Sequence, residues 1–312
     1  MTPTIRDVYG ASLARYGLLD ERIVVLDADV SASTRTGTFA QSCPERFFNV
    51  GIAEANMAAM AAGLASEGKI PFINTFAVFM TTLGALSART FAGYGRLNIK
   101  FMGAYGGVSD AYDGATHHSV EDLAIMRAIP GIQVLVASDA VLTDWLVRNA
   151  IAVNAPMYIR LSRDAMPPLY PEGESFTLGQ GKVLRQGTDV TVMTCGILGS
   201  IALQAADILA LDGFSVRVVD HFTIKPIDKD LVRRCARETQ AIVTAEEHSV
   251  VGGLGSAVAE VLVRDGLNVP LEMAGIPDCY TQSGSYAALL AAYGLDAAAL
   301  AVRIRSVLAR AR

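Results

Sequence analysis

The chain has 312 residues, of which 52% are hydrophobic and 18% charged, and its net charge is −5. This length suits two domains of ~100–200 residues each, and so apolar a composition excludes intrinsic disorder. The acidic balance, with no concentration of Lys and Arg anywhere in the chain, argues against a nucleic-acid surface.

In chain order, residues 4–17 have helical spacing, with Ile5, Val8, Leu13 and Tyr16 toward one side. IVVLDAD (23–29) predicts a buried strand, and the Ser/Thr-rich segment 31–38 a loop at its carboxyl end. FFNV is a second short strand, followed by a helix from Gly51 to about Ser66. PFINTF predicts a third strand, 78–92 a third helix ending near Gly93, and LNIKFMG (97–103) a fourth strand. Residues 104–118, rich in Gly and Asp, show no period. SVEDLAIMRAI opens with Ser119 three residues before Asp122, a weak N-cap signature. IQVLVAS, a helix over 139–153 and MYIRLS complete the alternation. Strands alternating with helices of ten or more residues imply a parallel sheet covered on both faces.

Residues 164–187 lose all periodicity, so 166–187 is assigned as a linker between domains at 1–165 and 188–312. The second domain repeats the alternation: DVTVMTCG, helix 198–212, SVRVVDHF, helix 228–237, AIVTAEE, helix 254–265, PLEMAGI and an alanine-rich helical end. The expected fold class is therefore α/β, two domains with mainly parallel sheets flanked by helices. Sites in such sheets lie beyond the carboxyl ends of the strands, which points to 29–38, 75–79, 104–118 and 162–168.

Cys43, Cys195, Cys235 and Cys279 are far apart and form no CxxC pair, as expected of reduced thiols in a cytoplasmic protein. MTPTIRDVYG lacks a signal-peptide profile, and no apolar run reaches ~18 residues without an interruption, so a soluble protein is expected. A mean hydropathy of +0.36 without a membrane span hints at large subunit interfaces.

Three constellations carry chemistry. Glu54 is a lone carboxylate at the start of an apolar helix; it either stabilises that helix N-terminus or, with Phe76 and Phe79, grips a flat heteroaromatic ring. The rings could equally be core. Asp113–His118, DGATHH, has no further Cys, His or acid at metal-ligand spacing. Arg6, Ser33 and Arg163 are each unremarkable alone. GGLGSA (252–257) misses the GxGxxG spacing of a dinucleotide loop.

GIAEANM followed by an Ala/Gly helix and PFINTFAVF resembles the pyrimidine-binding domain of thiamine-diphosphate enzymes. DGATHH followed by SVEDLAIMRAIPGIQVLVASD resembles the DG-x-TH-Q segment of transketolases and deoxyxylulose-phosphate synthases, and EEHSVVGGLGSAVAE the transketolase C-terminal domain. The resemblance covers essentially the whole chain. It implies that Glu54 hydrogen-bonds the cofactor's aminopyrimidine and that Phe76 and Phe79 line its pocket. It implies that His117 contacts the sugar and assists proton transfer, that Asp113 binds hydroxyls, and that Arg6, Ser33 and Arg163 hold the sugar's phosphate. His221 and His248 are structural in this reading. The sequence departs from the family pattern at Thr82 (usually tyrosine), Tyr105 (usually a phosphate-binding histidine), Tyr112 (usually an acid) and His118 (usually glutamine). These departures leave room for a sugar with another anionic head.

The family binds the diphosphate through a divalent metal on a GDG…N segment of another domain, and this chain has no GDG. The resemblance thus implies the C-terminal subunit of a split transketolase, with the thiamine diphosphate's Mg2+ or Ca2+ held by an N-terminal partner subunit in an α2β2 assembly. Ketol transfer from a ketose to an aldose follows from it. The alternatives are the β subunit of a 2-oxo acid or acetoin dehydrogenase, against which DG-x-TH argues, a deoxyxylulose-phosphate synthase fragment, and a non-catalytic structural partner. Thiamine-diphosphate binding only with the partner chain would separate enzyme from scaffold.

Overall fold

A computed structural model describes residues 4–311. The first sheet collects β1 (Ile23–Asp27), β2 (Phe47–Asn49), β3 (Ile70–Phe76), β4 (Lys100–Ala104), β5 (Gln133–Val136) and β6 (Met157–Arg160), all paired in parallel. Between them run α1 (Ile5–Gly17, before β1), the short α2 (Ser31–Thr34) and α3 (Gly37–Ser42), α4 (Glu54–Ser66), α5 (Ala77–Thr82), α6 (Ala85–Ser87), α7 (Asp122–Ala128) and α8 (Ala140–Ala152). The second sheet contains β7 (Lys182–Arg185), β8 (Val190–Thr194), β9 (Val216–Asp220), β11 (Ala241–Ser249) and β12 (Leu271–Ile276), in the order β12-β11-β8-β9-β7. Its helices are α9 (Leu198–Ala210), α10 (Lys229–Glu238), α11 (Leu254–Arg264), α12 (Tyr286–Ala292) and α13 (Ala297–Ala311). Two mainly parallel sheets flanked by helices are the fold class expected.

Several expectations are corrected in detail. The stretch assigned as linker ends in β7, which adds antiparallel to β9; its residues alternate too weakly in polarity to announce a strand. SVRVVDHF belongs to the second sheet only as far as Asp220; β10 (Thr223–Lys225) then crosses over and pairs antiparallel with β5, closing the first sheet in the order β10-β5-β6-β4-β3-β1-β2. The helix expected from Gly51 begins at Glu54, because Gly51 is left-handed (φ 73°) and Ala53 is still non-helical. The helix expected over 78–92 is broken into α5, α6 and a π-helical turn, Ala88–Tyr94. Ser119 does not cap α7. The cap position is Glu121, and Asp122 instead accepts the Tyr158 hydroxyl at 2.6 Å and pairs with Arg160 at 3.3 Å.

The two domains share packing. One apolar cluster runs from Met57, Ala58 and Ala61 on α4 through Phe101 and Met126 to Met193, Val219 and Leu254 of the second sheet and its helices. Alanines at 58, 61 and 62 let α4 lie close on the sheet, while Ala55, Asn56, Ala59, Met60 and Gly63 face outward. Beside that face, Ile52, Leu83 and Leu86 are 83%, 55% and 74% exposed. Tyr286–Ala311 has the length and hydropathy of a membrane span. It is nevertheless two helices broken at Gly294 (φ 66°), and α13 buries Leu300, Ile304 and Val307 in the second domain's core.

Candidate active site

The carboxyl edge of the first sheet gathers the predicted residues because five adjacent strands end there. β2 leads to Glu54, β1 to Ser33, β3 to Phe76 and on to Phe79, β4 to Tyr105, and β6 to Arg163. Arg6, in the first turn of α1, joins them because the Ile5 amide donates to the Asp164 carbonyl at 3.3 Å. Asp113 and His117 come from a 3-10 segment, Ala111–Thr116, and the residue that follows it.

Glu54 is only 5% exposed, and the Thr75 hydroxyl donates to its Oε1 at 3.2 Å. That bond ties the carboxyl to the carboxyl end of β3, one residue before Phe76. Phe76 and Phe79 are half-buried, 6.0 Å apart between ring centroids, and both meet His117 edge-on at 6.0 and 5.3 Å. They are therefore neither fully core nor free surface. His117 is anchored through Nδ1 to the Thr116 hydroxyl at 3.0 Å. Asp113 is exposed, and so are Tyr112 and Thr82, whose hydroxyl bonds back to the Val78 carbonyl at 2.6 Å.

Tyr105 sits in the middle of the predicted anion-binding trio. Its ring stacks on Phe76 at 4.8 Å, with the Arg6 and Arg163 guanidinium groups 5.6 and 5.3 Å from its centroid. Arg6 donates to its hydroxyl, which in turn donates to the Ser33 carbonyl at 3.3 Å. Tyr105 adopts φ 60°, a left-handed conformation unusual for a ring-bearing residue, so the surrounding contacts must hold it.

The sequence did not single out the supports. Buried Asp27 accepts from the Thr34 and Thr36 hydroxyls, each at 2.8 Å, and from the Val30 amide at 2.7 Å, fixing the turn that carries Ser33. Burial pushes its pKa up. Tyr9 donates to Asn74, whose amide donates to the Leu26 carbonyl of β1 and the Phe72 carbonyl of β3. Asp110 bonds Arg163 Nη1 at 3.1 Å. Burial, then Asp113, raises its pKa to about 6 against the pull of Arg163 and His117. A loop rich in Asp was the only sequence signal for it.

His118 points toward the second domain. Its Nε2 lies 3.1 Å from the Ala111 carbonyl and its Nδ1 2.7 Å from the Thr281 hydroxyl of the second domain. A carbonyl only accepts, so Nε2 carries the hydrogen and Nδ1 accepts from Thr281. Burial lowers the imidazole pKa, in keeping with the neutral form. Gly114 adopts φ 74° where an added Cβ would strike the Ser283 hydroxyl, so the second domain clasps this turn twice. GGLGSA contributes packing: the Glu246 carboxylate accepts from the Leu254 and Gly255 amides at 2.7 and 2.8 Å and caps α11. His248 bridges the Ala124 amide and the Ser249 carbonyl.

A buried carboxyl and two half-buried rings held at the same sheet edge fit an aminopyrimidine. A metal-bound diphosphate finds no counterpart: among the described residues, no group of three or more His, Cys, Asp or Glu side chains could hold a metal ion.

Comparison with known proteins accounts for both halves of the chain. Residues 1–168 match the transketolase pyrimidine-binding domain and residues 179–300 the transketolase C-terminal domain. A putative transketolase C-terminal section from Methanocaldococcus jannaschii is 41% identical over 302 residues, covering 96% of this chain and 95% of that protein. A 6-deoxy-6-sulfo-D-fructose transketolase subunit from Clostridium sp. is 41% identical over 293 residues, covering 94% and 91%. Against rat transketolase the identity is 37% over 98% of this chain but only 49% of the relative. The solved structure of a split-gene transketolase in an inactive β4 tetramer superposes with a TM-score of 0.90 at 43% identity and full coverage of both chains. The chain belongs to the transketolase family, spanning its pyrimidine-binding and C-terminal domains.

Proposed function

We propose that this chain is the C-terminal subunit of a two-chain, thiamine-diphosphate-dependent transketolase that moves a two-carbon ketol unit from a ketose with an anionic head to an aldose. The observation that carries the reading is the Glu54 carboxyl, buried and tethered by Thr75 to the same strand end that delivers the Phe76–Phe79–His117 ring group. Thiamine diphosphate, when bound, supplies the nucleophilic carbon that accepts the ketol unit. Glu54 holds a proton against the pyrimidine nitrogen, and Phe76 and Phe79 pack on the ring and keep water from it. His117 faces the same space from the opposite loop and moves a proton at the sugar oxygen, while Asp113 binds hydroxyls. Arg6, Ser33 and Arg163 hold the anionic head around Tyr105.

An N-terminal partner subunit would supply the Mg2+ or Ca2+ and the diphosphate cradle, in an α2β2 assembly in the cytoplasm. The exposed apolar side chains of Ile52, Leu83 and Leu86 beside the outward face of α4 support such a partner. Relatives described as separate subunits, one acting on 6-deoxy-6-sulfo-D-fructose and one on apulose 4-phosphate, support both the split and the anionic donor.

The test is Glu54→Gln in the complex reconstituted with the partner. Turnover should fall by roughly 100-fold or more, as for a lost general acid–base group, while the fold is retained. Undiminished turnover in that variant refutes the assignment.

A further inference from the structure

The head-group pocket carries a charge that its arginines alone would not give. Arg6 and Arg163 both lie against Tyr105, and Arg35, on the same side, is already paired with Asp7 at 2.7 Å. Asp110 has a side chain only 1% exposed, and its Oδ1 takes Arg163 Nη1 at 3.1 Å. The same nitrogen also donates to the Asp110 main-chain carbonyl at 3.3 Å, so one edge of the guanidinium is committed to one residue. Asp110 Oδ2 is buried without a hydrogen-bond partner, so no donor offsets the charge on that oxygen. Among the groups gathered around Tyr105, the Asp110 carboxylate offsets one of the two guanidinium groups, and Asp113, acting on Asp110 from the same turn, adds no positive charge. Tyr105, whose hydroxyl hydrogen goes to the Ser33 carbonyl, adds no charge.

We propose that Asp110 is a specificity-determining residue: by occupying Arg163 it matches the pocket to a ketose whose head bears one negative charge, such as a sulfonate, and disfavours a phosphate dianion. The inference rests on the ketol-transfer reading above. A dianion placed on Arg163 brings its second charge within a few ångströms of a carboxylate in a poorly solvated site, a repulsion worth at least about tenfold in affinity. The charged groups acting on Asp110 are Asp113 and His117 from its own turn and Arg163 from the end of β6. With its pKa raised to about 6, Asp110 is ionised in a mildly alkaline assay, where a phosphate monoester is dianionic.

The experiment uses the complex with the partner subunit at about pH 8. It compares kcat/KM for a sulfonated, a phosphorylated and a neutral ketose of the same carbon skeleton. Asp110→Asn keeps the bond to Arg163 and removes only the charge. It should raise the phosphate-to-sulfonate ratio at least about tenfold. An unchanged ratio in an active variant overturns the inference and leaves ketol transfer standing. Failure of the wild-type complex to transfer from any of the three ketoses overturns the ketol-transfer reading, and this inference with it. Should Asp110→Asn not fold, competitive inhibition of the wild type by a matched non-reacting sugar sulfonate and sugar phosphate decides the matter. Sulfonate must inhibit at least about tenfold more tightly, and equal or tighter inhibition by phosphate overturns the inference.

Discussion

His118 immediately follows His117, to which proton transfer is assigned in the proposed function, and could be mistaken for a second acid–base group. The structure makes it a positioning residue, because both ring nitrogens are occupied: one by the Ala111 carbonyl, the other by the Thr281 hydroxyl. His118→Ala removes two buried hydrogen bonds, leaving the Thr281 hydroxyl without this partner and the Ala111 carbonyl with only the long bond from the Gly284 amide, a cost of about 2–4 kcal/mol. The other ties of the Ala111–Thr116 turn to the second domain are the close approach of Gly114 to Ser283 and the packing of Ala111 in the apolar core. The Gly284 amide reaches the Ala111 carbonyl only at 3.4 Å, so the cost falls on the clasp itself. A turn loosened by about 2 kcal/mol would be correctly placed roughly 30-fold less often. The turnover number of the reconstituted complex should fall by a comparable factor, with thiamine-diphosphate affinity nearly unchanged. Glutamine can do both jobs, its NH2 donating to Ala111 and its carbonyl accepting from Thr281. His118→Gln should therefore stay within about threefold of wild type, with an unaltered pH profile. Turnover by the Gln variant as slow as that of the Ala variant would refute the reasoning and return His118 to proton chemistry.

Two further outcomes test the fold beneath the site. Burial lowers the pKa of His221 to about 4 from 6.5, and neither ring nitrogen has a hydrogen-bond partner. The unfolded chain therefore binds a proton that the folded chain refuses, so His221's contribution to stability is complete above pH 6.5 and is lost as pH falls toward 4. Denaturant unfolding of wild type and His221→Phe should show wild type losing about 2–3 kcal/mol more between neutral and acid pH, and a constant difference refutes this. Gly107, at φ 67°, lies where an added Cβ would overlap the Glu247 carboxylate. Gly107→Ala should therefore cost about 2–4 kcal/mol of unfolding free energy, and a loss below about 1 kcal/mol would show that the loop yields.

Much of the site was legible from sequence because its chemistry sits in short contiguous motifs. Glu54 opens its helix, the two phenylalanines follow one strand, and His117 closes a glycine-rich turn. Their meeting at one sheet edge follows from parallel topology alone. Glu54 is both the first residue of α4 and bonded to the strand end that carries Phe76, so its two readings are not exclusive. What stayed hidden was pairing across long separations. Asp110 with Arg163, Thr75 with Glu54 and His118 with Thr281 leave no periodic trace, because a single hydrogen bond constrains two residues rather than a pattern. The strand at Lys182–Arg185 was missed for a related reason: its four residues are all half-buried, so period-two alternation never develops. The early helix break after Thr82 was equally invisible, since residues 78–92 keep an apolar rhythm through the π-helical turn.

The crossover of β10 bears on how the chain holds itself together. Without Thr223–Lys225, β5 would end the first sheet with a row of unpaired amides and carbonyls, an open template for another chain. The strand that seals it is encoded some sixty residues downstream of β6, within the second domain. The polypeptide thus behaves as one cooperative body rather than two beads on a string, and neither half keeps a finished surface when the other is cut away. Relatives carry this pair of domains as a C-terminal section or a subunit by itself, and the fold offers no seam at which to separate the two from each other.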